Sequence, residues 1–63
     1  MSWEFYEVWS VDQDYHEELV DTTQSLKEAQ ELAGAALDEE NIIKAIIYKE
    51  NEDGDLEEVQ VLE

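Results

Sequence analysis

The chain contains no cysteine, no proline and no arginine. Without cysteine there is no disulfide to staple the fold and no thiolate to hold a metal. Without proline there is no proline-rich linker to divide the chain and no obligatory break in a helix. Lysine supplies all the strong cations, three in 63 residues, against 19 aspartates and glutamates, giving a formal net charge of −16. A surface of this sign is repelled by nucleic acid and by anionic membranes, so neither is expected as a direct partner. No apolar run approaches the roughly 20 residues that span a bilayer. The opening MSWEFYEV lacks the basic-then-apolar order of a signal peptide, and the cytoplasm is the expected location.

What is present argues for a fold. Two Trp, three Tyr and one Phe, within a 43% apolar fraction, exceed what a disordered acidic segment carries. The expectation is a single small acidic α+β domain over residues 1–63. A domain of this length buries only about 60% of the surface its unfolded chain exposes. Charge self-repulsion weakens it further. A thin core that keeps so unbalanced a charge points to a use for that charge, and a strongly basic partner is the natural one.

The chain reads as strand, strand, helix, strand, strand. Trp3 to Val11 is aromatic and β-branched and predicts a strand, although neither of its alternating faces is cleanly polar. Asp12 to His16 is a polar turn. Glu17 to Thr23 predicts a short second strand whose acids suit a sheet edge. Ser25 and Glu28 form the S-x-x-E pattern of a reciprocal capping box. Leu26, Ala29, Leu32, Ala33, Ala36 and Leu37 then recur at helical spacing on one face. Lys27 and Glu31 are spaced for an i,i+4 pair. Gly34 lies inside this helix and either permits close packing or is tolerated. Ile42 to Glu50 is nearly continuous in apolar residues and predicts a central strand. Asn51 to Asp55 is a Gly-containing turn. Leu56 to Leu62 predicts a strand with Val59 and Val61 on one face and Glu58 and Gln60 on the other. The expected architecture is a four-stranded antiparallel sheet with one helix on one face, its other face left free for pairing.

Candidate chemistry is sparse. Asp12, Asp14, His16 and Glu17 begin like a calcium-binding loop but lack the Gly at the sixth position and the Glu at the twelfth. In Asn51 to Glu57 the Gly is misplaced. No dedicated metal site and no cofactor is expected. His16 is the sole histidine and reads as a solvated turn residue. Ser10, Thr22, Thr23 and Ser25 have no base nearby in sequence, and no Gly-rich loop cradles phosphate. The chain is not expected to be an enzyme.

Three acids, Asp38, Glu39 and Glu40, close the helix at the negative end of its macrodipole, where cations are preferred. Local rules broken without visible gain tend to mark functional or strained sites. Together with Asp12, Asp14, Glu17 and Glu18 of the first hairpin and Glu52, Asp53 and Asp55 of the second, they are the candidate partner-binding carboxylates. Acids two apart on a strand stand about 6.5–7 Å apart. A globule of this length is about 27 Å across, and a duplex of that length carries about 16 charges. Trp9 and Tyr48 are the candidate apolar anchors, since Trp and Tyr dominate interface energetics.

In size, acidity and mixed α+β layout the chain resembles phage-encoded DNA-mimic inhibitors, among them anti-CRISPR and anti-restriction proteins and inhibitors of DNA-repair glycosylases. The resemblance covers the whole chain in character and rests on no motif. It implies a protein that blocks the nucleic-acid-binding surface of a CRISPR effector, a restriction enzyme or a repair enzyme. Two other readings are open: a dimeric adaptor pairing through its free sheet face, and an acidic domain adapted to high salt.

Overall fold

A computed structural model describes residues 5–63. Its elements are β1 (Phe5–Asp12), β2 (Glu17–Thr23), α1 (Leu26–Leu37), β3 (Ile42–Glu50) and β4 (Leu56–Leu62). The four strands form one antiparallel sheet in the spatial order β2-β1-β3-β4. This is an α+β fold with one helix, which lies in sequence between β2 and β3. Each hairpin contributes an inner and an outer strand, and the acidic β2 is an edge strand. Trp3 lies outside the described residues.

Burial decides between the two faces of β1. Val8, Ala45 and Ile47 of the sheet and Ala29 and Ala33 of the helix form the core, all 0% exposed. Tyr6, Leu26, Leu32, Leu37 and Leu62 pack around them. The alanines let α1 lie close to the strands, and it touches all four of them. Gln30 Nε2 donates to Gln60 Oε1 at 2.9 Å, tying the outer side of the helix to β4. The face with Trp9, Ile46 and Tyr48 is turned away from α1.

Bulges break the strict alternation expected from sequence. On β4 the register shifts between Ile47 and Tyr48, so Gln60 pairs with Ile47 on the helix side while Glu58 pairs with Tyr48 on the open side. Glu58 and Gln60 therefore do not share a face, because Val59 is the extra residue between them. A second bulge in β2 falls opposite Val8 and Trp9.

The helix start is also rearranged. Ser25 Oγ accepts the Glu28 amide at 3.4 Å, as its spacing predicts. The Glu28 carboxylate, however, accepts a hydrogen bond from Thr23 Oγ1 at 2.7 Å. The Ser25 amide donates to the same Thr23 oxygen at 3.3 Å. The return half of the box thus runs through a buried threonine that is better placed than the Ser25 amide.

Gly34 is tolerated and does not serve close packing: a Cβ built on it meets no atom within 4 Å. Gly34→Ala should therefore stabilise the fold by about 1 kcal/mol. Thermal unfolding should register this as a rise of about 4–8 °C. A fall would mean that the helix is strained by a side chain at this position.

The shape departs from the ~27 Å globule expected from chain length. The Cα extents are 39 × 19 × 15 Å and the radius of gyration is 11.5 Å. Outer strands at ~4.8 Å spacing stand only ~14 Å apart, so the long axis follows the strands. One sheet and one helix make two layers, too thin for a sphere.

Candidate functional site

Chain direction sorts the candidate carboxylates into two poles. β1 ends where β2 begins, and α1 runs back to that same end before β3 starts. The Asp12–His16 turn and the Asp38–Glu40 segment, distant in sequence, therefore become neighbours. The Gln13 amide donates to Asn41 O at 3.0 Å and Gln13 Nε2 to Glu40 O at 3.4 Å, joining the two segments. Asp12, Asp14, Glu17, Glu18, Asp38, Glu39 and Glu40 share this pole. Glu52, Asp53 and Asp55 sit on the β3–β4 hairpin at the opposite pole, all exposed. The structure does not bring the two groups together.

The poles have matching hairpins. In each, three loop residues follow a closing backbone pair. The Asp12 amide donates to His16 O at 3.1 Å and the Asn51 amide to Asp55 O at 2.8 Å. The third loop residue must then adopt positive φ. Gly54 does so at +86° without strain, whereas Tyr15 does so at +64°. A tyrosine there pays the steric cost that glycine avoids. Tyr15 is 76% exposed, so packing does not explain its presence. Tyr15→Gly should stabilise the domain by about 1 kcal/mol, measured by chemical denaturation. Unchanged stability would show that the positive φ of Tyr15 carries no strain.

Asp12, Asp14 and His16 bring ligand atoms within 4.8 Å of one another. Asp12 is already engaged: its Oδ1 accepts the Asp14 and His16 amides at 2.9 Å each, and its Oδ2 stands 3.7 Å from His16 Nδ1. The arrangement is that of a carboxylate bracing a turn. His16 is 80% exposed at its side chain, as a solvated turn residue would be.

A feature not read from the sequence runs between the poles. β2 and α1 stand apart enough to leave a shallow groove. At one end it is lined by Glu18, Leu19, Val20, Leu32, Ala35 and Glu39, and at the other by Asp21, Thr22, Glu28 and Glu31. Glu18 and Asp21 stand on the strand wall; Glu28, Glu31 and Glu39 stand on the helix wall. Lys27 and Glu31 do not pair, which leaves the Glu31 carboxylate to the groove. Asp21, Glu28 and Glu31 gave no separate signal because their alignment depends on how the helix lies along the edge strand.

The two anchor candidates, Trp9 and Tyr48, occupy the open sheet face. Trp9 Nε1 donates to Glu7 Oε1 at 3.0 Å, which fixes the indole on that face. Burial raises the Tyr48 phenol above its usual value, and the carboxylates of Glu17 and Glu58 raise it further. The folded chain thus holds this proton more tightly than the unfolded chain does. The stabilisation is complete below about pH 10 and is lost as pH rises through the higher folded value. Absorbance titration should show Tyr48 ionising above the ordinary tyrosine range, and Tyr48→Phe should remove that late step. An ordinary titration of Tyr48 would place its hydroxyl in open water.

No family model, curated protein or solved structure matches this chain. Among the described residues no helix is long and apolar enough to cross a membrane.

Proposed function

We propose that this protein is a non-enzymatic inhibitor that occupies the cationic, nucleic-acid-binding surface of another protein, its carboxylates taking the places of phosphates. The target class is a CRISPR effector, a restriction enzyme or a repair enzyme. The observation that carries the reading is the arrangement of acids along the long axis: an acidic pole at each end and, between them, a groove with carboxylates on both walls. Over 39 Å a net charge of −16 amounts to roughly one charge per 2.5 Å. Duplex DNA carries one per ~1.7 Å, so the densities are comparable. Charge of this kind speeds encounter and fixes orientation, while the half-buried Trp9 and Tyr48 supply desolvated contact.

The test is displacement of a labelled duplex from purified members of these target classes, repeated as salt is raised. The reading expects displacement at low salt and a loss of affinity of at least about tenfold between ~50 and ~200 mM salt. Affinity that does not change with salt, or binding that leaves the duplex in place, overturns it.

A further inference from the structure

The sheet face opposite α1 carries an ordered pattern. Leu19, Trp9, Ile46 and Val61 are successive register partners and form one apolar row across all four strands. Ile46 is 5% exposed at the middle of the row, while Leu19 and Val61 at its ends are 44% and 39% exposed. The next row on one side is Thr22, Glu7, Tyr48 and Glu58. On the other side stand Glu17, Val11 and Lys44. Rows of one face are about 6.5–7 Å apart. The apolar row thus has carboxylates within side-chain reach on both flanks, and Lys44 is the cation that these rows place among them.

Three considerations identify what fits. A second copy would bring the Glu7, Glu17 and Glu58 carboxylates of one face to the same three of another, with one lysine from each in return, in a chain already at −16. A partner with apolar residues between Lys or Arg residues matches both parts of the pattern. A single helix laid across the strands is long enough to cover the row, because the outer strands stand only ~14 Å apart. A helix with side chains is about 10–12 Å wide, so its apolar stripe can lie on the row while its flanking cations reach the neighbouring rows.

We propose that the Leu19–Trp9–Ile46–Val61 row, with the Glu7, Glu17 and Glu58 carboxylates beside it, is the docking surface for a cationic amphipathic helix of the partner protein. This rests on the reading of the partner as cationic and adds which face of the molecule it meets and in what form. The acidic poles and groove then attract and orient the partner, and the row supplies the desolvated contact that holds it.

The test uses the full chain, labelled with ¹⁵N, and two synthetic peptides of about 18 residues, ~27 Å long as a helix. One carries leucines at helical spacing with lysines on either side; in the other every leucine is replaced by glutamine, with the lysines kept. The expected result is that the leucine peptide gains helix and shifts the amides of Leu19, Trp9, Ile46 and Val61 and the Trp9 indole. The glutamine peptide should bind at least about tenfold more weakly. A Val61→Ser variant changes only one half-exposed end of the row, away from the groove, and so should stay folded. It should weaken the leucine peptide by about the same factor and leave the glutamine peptide unaffected. Equal binding of both peptides, with shifts confined to the Asp12–His16 and Asp38–Asn41 pole, overturns the docking proposal and leaves the cationic-partner reading standing. Binding of neither peptide at low salt overturns both. Concentration-dependent shifts of the row without peptide would show that a second copy occupies the face. A peptide that adds to an edge strand without gaining helix also refutes the proposal.

Discussion

Ile47→Ala should remove about 2–5 kcal/mol of stability, a large share of what a domain this small possesses. A chain of this length is expected to have about 3–9 kcal/mol in total, at ~0.05–0.15 kcal/mol per residue. Ile47 is one of the two largest fully buried side chains, the other being Val8. Its neighbours in the core include Ala29, Ala33 and Ala45, which have no atoms to move into the space it leaves. Nearly the whole cavity term therefore adds to the lost burial. Urea denaturation followed by circular dichroism gives the value. A loss under about 1 kcal/mol would show that the fold is held elsewhere, for instance by the open-face row.

The second large effect has two opposite signs. Neutralising the helix terminus with Asp38→Asn, Glu39→Gln and Glu40→Gln should raise stability and lower partner affinity together. Asp38 is the C-cap, its amide bonded back to Ala35 O and the following Glu39 amide to Ala36 O, and no basic residue stands in the last turn. All three side chains are exposed. Each charge opposes the carbonyl end of the helix by a few tenths of a kcal/mol after solvent screening, so the triple change should gain about 1 kcal/mol. Thermal unfolding should rise by about 4–8 °C. If the carboxylates face a cationic partner, their removal should slow association, with the largest effect at low salt. A variant that is more stable and also binds normally would make these acids incidental to recognition.

The parts of this structure that could be read from the sequence are those set by local chemistry. Ser25 and Glu28 marked the helix start, the alanine and leucine spacing marked its buried face, and the acids of β2 marked an edge. What could not be read depends on partners distant along the chain. Thr23 diverts the Glu28 carboxylate only because β2 ends beside the first helical turn. The bulges that separate Glu58 from Gln60, and that fall opposite Val8 and Trp9, come from fitting strands to one another. Neither face of β1 was polar enough to announce which was covered, because its open face carries Trp9 and Val11. Tyr15 gave no sign of positive φ, since tyrosine is not the residue that geometry favours.

For the candidate site the division is similar. Composition identified carboxylates as the salient chemistry, and turns and the helix end were natural places for them. Topology alone joins Asp12 and Asp14 to Glu39 and Glu40, separates them from Asp53 and Asp55, and lines up Asp21, Glu28 and Glu31 along a groove. Trp9 and Tyr48 could be named as anchors, but the row that Trp9 forms with Leu19, Ile46 and Val61 exists only in the register of the sheet.

Displacement of duplex DNA from a susceptible target by the native chain, set beside displacement by the Asp38→Asn, Glu39→Gln, Glu40→Gln variant in the same low-salt buffer, tests the account most directly. The account predicts that the native chain releases the DNA and that the better-folded variant needs a markedly higher concentration to do so. Equal potency of the two proteins would contradict it.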